Sequence, residues 1–261
     1  MRVLRAAHPG PAFAVTLLAG LLGVAVGLGP ADLALVVAAV GTGQLVIGWS
    51  NDLADADRDR QVGRTDKPLA TGELDARTVR RLDAGARVLT IVFSLLTGAV
   101  SGTVHLLVVG SGLAYNLGLK STAWSWAPYA VAFGALPAFV ALVDDPHTLP
   151  PWWMVAAGAL LGVGAHLVNV LPDLDDDAAT GVRGLPHRLG ARRSSALAAW
   201  VLAAATVVIV LGAAVEVTVA VVALVVVGGL AVIVERTEGR TPFRAAIAMA
   251  LVNVVMLVVA T

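Results

Sequence analysis

The stretch NDLADADRDRQVGRTDKPLATG, residues 51–72, returns later in the chain as NVLPDLDDDAATGVRGLPHRLG, residues 169–190. An offset of 118 positions (51 to 169) lays one on the other. Asn51, Asp55, Asp57, Asp59, Gly63, Pro68 and Gly72 then fall on Asn169, Asp173, Asp175, Asp177, Gly181, Pro186 and Gly190. These are polar or turn residues, and their agreement in register marks a duplicated unit. Asn51, Asp55 and Asp59 are spaced i, i+4, i+8, as are Asn169, Asp173 and Asp177. On a helix such residues line one face, one turn apart.

Outward from the two motifs the chain is apolar. Of its 261 residues 58% are hydrophobic and 14% charged, against about 45–50% and about 25% in an average soluble domain. So few charges cannot cover a water-facing surface, and the same figures exclude disorder. Eighteen Lys and Arg balance 18 Asp and Glu, which excludes a nucleic-acid binder relying on a basic surface. With no cysteine, disulfides, Cys-ligated metals and thiol catalysis are excluded too.

An integral membrane protein remains. Apolar runs near the length of a bilayer crossing are read at roughly 12–29, 31–49, 83–101, 103–119, 125–143, 151–171, 194–214, 217–235 and 242–260. They lack the alternating polarity of barrel strands, so helices are expected. Arg2 and Arg5 precede the first run as in a signal peptide, but no clear cleavage site follows, and a retained helix is expected. With the N-terminus in the cytoplasm and nine crossings, all 18 Lys and Arg fall on the cytoplasmic side, while Asp32, Asp144, Asp145 and Glu216 lie opposite. The expected fold is an all-α integral membrane protein: a nine-transmembrane-helix bundle of four plus four helices and one extra. It forms a single domain over 1–261, with cytoplasmic motif loops at 50–82 and 172–193. An even number of crossings separates the motifs, so both emerge on one face.

Amide and carboxylate oxygens are hard ligands that suit Mg²⁺, an ion that keeps waters and completes its octahedron with substrate phosphate. A single D-x-x-x-D at a membrane surface reads as solvated charge. Two copies in register at span ends read as a functional site, and facing stripes of this kind would need cations, bridged by a diphosphate, between them.

At these residues the sequence resembles the UbiA superfamily of intramembrane prenyltransferases. The first motif of that family, N-D-x-x-D-x-x-x-D, is matched by Asn51, Asp52, Asp55 and Asp59. Its downstream R…[RK]-P-L-x-x-G pattern is matched by Arg64, Lys67, Pro68, Leu69 and Gly72, and its second motif by Asp173, Asp177, Gly181, Arg183, Arg188 and Gly190. A Tyr-x-x-x-Lys element is approximated by Tyr115 and Lys120, one residue further apart, with Asn116 four residues before Lys120. Pro172, just before Asp173, is expected to kink or end the regular helix.

The resemblance implies Mg²⁺-dependent transfer of an isoprenyl group from an allylic diphosphate to a hydrophobic, aromatic acceptor. It assigns Asp55, Asp59, Asp173 and Asp177 to catalysis through the metal, with Asn51, Asp52 and Asn169 as further ligands. Arg64, Lys67, Lys120, Arg183, Arg188, Asn116 and Tyr115 become the diphosphate contacts. An isoprenyl diphosphate, a lipophilic acceptor and membrane lipids are the expected partners, without nucleic acid or an obligate protein. The expected place is the inner or plasma membrane, the site facing the cytoplasm. A terpene cyclase using the same ionising site, and more distantly a transporter built on repeats, are the alternatives. His166, one turn before Asn169, reads as an interior histidine or an acceptor contact, and His105 as interfacial. Trp124, Trp126, Trp152 and Trp153 read as interface anchors, and Asp75, Arg77, Arg80 and Arg81 as a solvated cap helix.

Overall fold

Pro30, whose fixed φ suits a first helical turn, starts the longest helix, α3 (Pro30–Gln61). The computed structural model describes residues 2–179, 181–237 and 239–261, without the side chains of 175, 176 and 179. Before α3 come α1 (Arg2–Arg5) and α2 (Pro9–Ala25); after it come α4 (Ala76–Leu96), α5 (Ala99–Asn116), α6 (Ala127–Asp144) and α7 (Trp152–Val170). Short helices α8 (Leu174–Ala179) and α9 (Leu185–Leu189) lead to α10 (Ala191–Gly212), α11 (Val217–Arg236) and α12 (Thr241–Val259). Among the described residues there is no strand.

Among the described residues six helices are long and apolar enough to cross a membrane: α3, α6, α7, α10, α11 and α12. With 17 residues α2 is shorter. The sequence expectation separates a cap helix near 75–81 from a span at 83–101. Instead α4 is one continuous helix from Ala76, capped by the Asp75 carboxylate accepting from Thr78 N at 3.2 Å. No helix breaker lies between the two expected pieces; the break comes at Gly98, φ +127°, and α5 begins there.

The offset of 118 also governs the helices. It carries Pro9, the start of α2, to Ala127, the start of α6, and Ala99, the start of α5, to Val217, the start of α11. Gln61, the end of α3, maps to Ala179, the end of α8; among the long helices α12 is the one left over.

The chain forms two compact units, residues 1–118 with 139–148, and residues 119–138 with 149–261. The first packs α3 against α2, α4 and α5, around Val46, Trp49, Ala56, Leu69, Val79 and Ala86. His105, expected at the interface, is buried here, its Nδ1 2.7 Å from Ser94 Oγ. The second unit is centred on Leu161, Leu167, Leu202, Val227 and Met249. There α6 and α7 approach closely: a Cβ at Gly158 would sit 2.5 Å from Phe133 O, and one at Gly162 2.3 Å from Tyr129 O. Small residues that let backbones touch are the usual means of helix association in lipid. Asn253 of α12 donates to Leu202 O and Met249 O, each at 3.0 Å, and accepts from Thr206 Oγ1 at 3.0 Å. Val221, Val222 and Val225 of α11 remain 54%, 56% and 68% exposed. Such a face suits lipid, not water.

Candidate functional site

In the first unit α3 runs without a break through the motif, so Asn51, Asp55 and Asp59 share a face, successive members about 6 Å apart along the axis. Asp55 and Asp59 are each 8% exposed, and Asp55 Oδ2 accepts from Arg58 at 2.8 Å. The helix then stops on a glycine. Gly63 has φ +70°, its N donates to Arg60 O at 3.2 Å, and Arg64 N donates to Asp59 O at 2.9 Å. This is a Schellman stop, which a left-handed glycine makes possible. The second unit repeats it: Gly181 has φ +86°, its N donates to Ala178 O at 3.2 Å, and Val182 N donates to Asp177 O at 2.9 Å. Gly72 and Gly190 also match, with φ of +76° and +78°.

The second motif differs in one respect. Pro172 has no N–H to give the helix, and residues Leu171–Asp173 form a 3₁₀ turn between α7 and α8. Asn169 lies on the last turn of α7, Asp173 in the 3₁₀ turn and Asp177 on α8. The three are not on one regular helix, as the proline implied. His187 Nε2 stands 3.4 Å from Asp177 Oδ2.

Each motif asparagine faces a ring from an earlier part of its own unit. Asn51 Nδ2 lies 3.4 Å from His8 Nε2, and Asn169 Nδ2 donates to Tyr129 OH at 3.4 Å. Turning the amide nitrogen to the ring points Oδ1 the other way. Tyr129 in turn lies tilted against His166, ring centres 5.0 Å apart. His166 Nε2 is 3.0 Å from Ser125 Oγ, which also accepts from Leu185 N at 2.9 Å. His166 is thus an interior, hydrogen-bonded histidine, and Ser125 fastens the start of α9 to it. Of the tryptophans, Trp124 and Trp152 are exposed, whereas Trp153 is buried.

Three of the expected site residues are held by protein partners in this geometry. Asp52, grouped by the motif with the metal ligands, is 1% exposed and its Oδ1 is 2.6 Å from Lys67 Nζ and 2.9 Å from His8 Nε2. One residue along a helix turns by about 100°, so Asp52 leaves the Asn51 face and becomes the anchor for Lys67. Lys67, expected on the diphosphate, bonds to Asp52 and His8. Asn116 is buried, its Nδ2 donating to Ile47 O at 2.9 Å and Ser50 Oγ at 2.7 Å. Both amide protons therefore hold α5 to α3, and none is left for a diphosphate.

The remaining expected contacts sit as follows. Arg64 makes a two-point pair with Asp66, at 2.8 and 2.9 Å, and this guanidinium lowers the Asp66 carboxyl to about 2. Lys120 is buried in the turn Leu119–Ser121, and Tyr115 is half-buried on α5. Arg188 Nε donates to Arg183 O at 3.0 Å, so both arginines stay on the second motif loop, exposed. His8, Ser125, Tyr129 and His187 carry no motif signal and enter the site only through the fold.

Among the described residues no three His, Cys, Asp or Glu side chains stand together as a ready-made metal cage. The donors instead come as carboxylate pairs with an amide, Asn51, Asp55 and Asp59 in one unit and Asn169, Asp173 and Asp177 in the other. Few, hard, oxygen-only donors fit Mg²⁺, which takes one or two carboxylates and fills its other positions with water and phosphate oxygens.

The model for the "UbiA prenyltransferase family" matches residues 12–257. A mitochondrial 4-hydroxybenzoate polyprenyltransferase from Caenorhabditis elegans is 34% identical over 157 residues, 58% of this chain and 43% of its own length. A 4-hydroxybenzoate octaprenyltransferase from Burkholderia mallei is 28% identical over 135 residues, 51% of this chain and 47% of its own length. The chain spans about half the length of the curated relatives it matches. In three dimensions it is similar to an apo UbiA homolog from Aeropyrum pernix K1 (TM-score 0.75, 19% identity, 94% of this chain and 97% of that one). It is also similar to a UbiA homolog from Archaeoglobus fulgidus bound to GPP and Mg²⁺ (TM-score 0.70, 16% identity, 100% and 99%). The paired motifs, the helices in 118-residue register and a family match over nearly the whole length agree, and the chain belongs to the UbiA prenyltransferase family.

Proposed function

We propose that the chain is a Mg²⁺-dependent prenyltransferase, moving an isoprenyl group from an allylic diphosphate to a lipophilic aromatic acceptor within the membrane. One observation carries this reading: two oxygen-bearing motifs, in register, each ending on the same glycine stop. The relatives support the substrate class, since their names specify polyprenyl and octaprenyl transfer to 4-hydroxybenzoate and one structural neighbour carries GPP with Mg²⁺. None of the relatives named above is a cyclase or a transporter, and those two alternatives are set aside.

In this reading residues 1–261 work as one catalytic domain of nine crossings, with the N-terminus and both motif loops, 50–82 and 172–193, in the cytoplasm. The distribution of all 18 Lys and Arg supports that orientation, in an inner or plasma membrane. Asn51, Asp55, Asp59, Asn169, Asp173 and Asp177 would hold the metal. When bound, Mg²⁺ supplies positive charge to the diphosphate oxygens as the allylic C–O bond breaks. Arg64 and Lys120 add fixed cations for the same oxygens, with Arg183 and Arg188 on the second loop. The apolar helix walls keep water from the allylic cation until the acceptor carbon attacks.

Detergent-purified protein given Mg²⁺, geranyl diphosphate and 4-hydroxybenzoate should release diphosphate and form a prenylated acceptor, read by mass spectrometry. Asp55→Ala and Asp173→Ala should each abolish product. Full activity in both variants would overturn the metal assignment, and absence of product from the wild type with a panel of aromatic acceptors would overturn the transferase reading.

A further inference from the structure

The segment before α2 is folded onto the cytoplasm-directed end of α3 by several independent contacts. Trp49 Nε1 donates to Val3 O at 3.0 Å, and Arg5 Nη2 donates to Asp66 O at 3.0 Å. Arg2 pairs with Glu73 at 3.4 Å. Ala6 and Ala7 are buried in the first core, and Gly48 leaves room for the Ala7 carbonyl. The segment ends at His8, a non-glycine residue in the left-handed region, φ 52° and ψ 65°. Side chains rarely adopt that conformation, and it persists where surrounding contacts impose it. What it achieves here is placement of the imidazole: Nε2 completes a triangle with Lys67 Nζ at 2.9 Å and Asp52 Oδ1 at 2.9 Å, whose third edge is 2.6 Å. The same nitrogen is 3.4 Å from Asn51 Nδ2.

Resting on the isoprenyl-diphosphate reading above, we propose that His8 is a positioning residue: the docked segment fixes the Lys67 ammonium beside Asn51, ready for a diphosphate oxygen. Two features favour this over a merely structural latch. Lysine is a flexible point charge with four rotatable carbons, and a free ammonium near α3 would fold onto Asp55 or Asp59 and compete with metal for them. Asp52, off the stripe and 1% exposed, gives Lys67 another carboxylate, and His8 closes the remaining side. The ammonium has three donors; Asp52 and His8 take two, and the third stays for the ligand.

The test separates ligand affinity from chemistry. Binding of geranyl diphosphate in the presence of Mg²⁺ is measured for the wild type, His8→Ala, His8→Gln, Lys67→Ala and His8→Ala with Lys67→Ala, alongside turnover at saturating diphosphate. Loss of one hydrogen bond to a charged group corresponds to roughly tenfold in affinity. His8→Ala should raise Kd about tenfold while saturated turnover changes less than about twofold. His8→Gln, whose amide oxygen can accept from the Lys67 ammonium, should recover most of the affinity. The double variant should bind no more weakly than Lys67→Ala alone, because both changes remove one arrangement. Unchanged Kd in His8→Ala, or multiplicative losses in the double variant, overturns the proposal. If His8→Ala does not fold, His8→Phe, which fills the space without ring nitrogens, makes the same comparison. A wild type that binds geranyl diphosphate but forms no product sinks the transferase reading while the affinities still decide the role of His8.

Discussion

Gly48→Ala tests the docking of residues 2–8 with a single methyl group. A Cβ at Gly48 would lie 2.4 Å from Ala7 O, 2.6 Å from Ala7 C and 2.9 Å from Ala7 Cα. These are backbone atoms, which cannot rotate aside as a side chain does, and ordinary carbon contacts begin near 3.5 Å. The segment must retreat by about 1 Å. That lengthens Trp49 Nε1 to Val3 O from 3.0 Å and Lys67 Nζ to His8 Nε2 from 2.9 Å, both to beyond hydrogen-bonding range. One neutral bond and one bond to a charged group are then lost, together about 3 kcal/mol of local docking energy. The sign within α3 is opposite, since alanine is a better helix former than glycine by about 1 kcal/mol. The expected result is therefore a split: α3 holds or gains protection, while residues 2–8 lose it. Hydrogen exchange read by mass spectrometry in detergent should show amides of 2–8 exchanging about a hundredfold faster. Equal exchange in the two proteins would falsify the packing of this segment against α3.

The remaining predictions concern other parts of the chain. Gly63→Ala and Gly181→Ala meet no atom within 4 Å, so each should cost only the strain of a left-handed alanine, about 1 kcal/mol, seen as similar falls in the thermal midpoint; Asn at either position should cost less. Asn253→Leu should lower the thermal midpoint by the equivalent of about 1 kcal/mol, a typical upper value for polar contacts between helices in lipid, because the bonds from Asn253 to Leu202 O and Thr206 Oγ1 are lost, while Thr206 Oγ1 keeps its bond to Leu202 O at 3.2 Å. Asp66 is held near 2 by Arg64, below its unfolded value; its contribution is full above pH 3.8 and fades as pH falls through about 2. An acid titration of unfolding should accordingly show wild type and Asp66→Asn converging as the pH drops below 3.8.

What the sequence displays and what it hides divide along a physical line. The stripe Asn51–Asp55–Asp59 was legible because a helix repeats every 3.6 residues and local spacing is enough. The matched Gly63 and Gly181 were legible as turns because only glycine sits easily at positive φ, and Pro172 announced the break in the second motif by its missing N–H. The continuity of α4 from Ala76 through the third apolar run was not, because the charges from Asp75 to Arg81 read as a separate solvated helix although no residue between Arg81 and Asp83 stops one. Nor was the partner of Asn51: His8 stands 43 residues earlier, and no periodicity connects them. Tyr129 and Asn169, 40 residues apart, meet for the same tertiary reason. Asn116 illustrates the limit most plainly. Its spacing to Lys120 reads as a shared helical face, but α5 ends at Asn116, and its amide meets Ile47 and Ser50 of another helix.

The 3₁₀ turn at Leu171–Asp173 makes the duplicated halves unequal. Such a turn rises about 2.0 Å and rotates about 120° per residue, against about 1.5 Å and about 100° in an α-helix. Over three residues Asp173 is carried about 1.5 Å further and about 60° around from where Asp55 stands relative to its own asparagine. The duplicated symmetry therefore survives in the scaffold and not in the placement of the carboxylates. A chimera carrying residues 51–63 in both places would restore that placement in the second half.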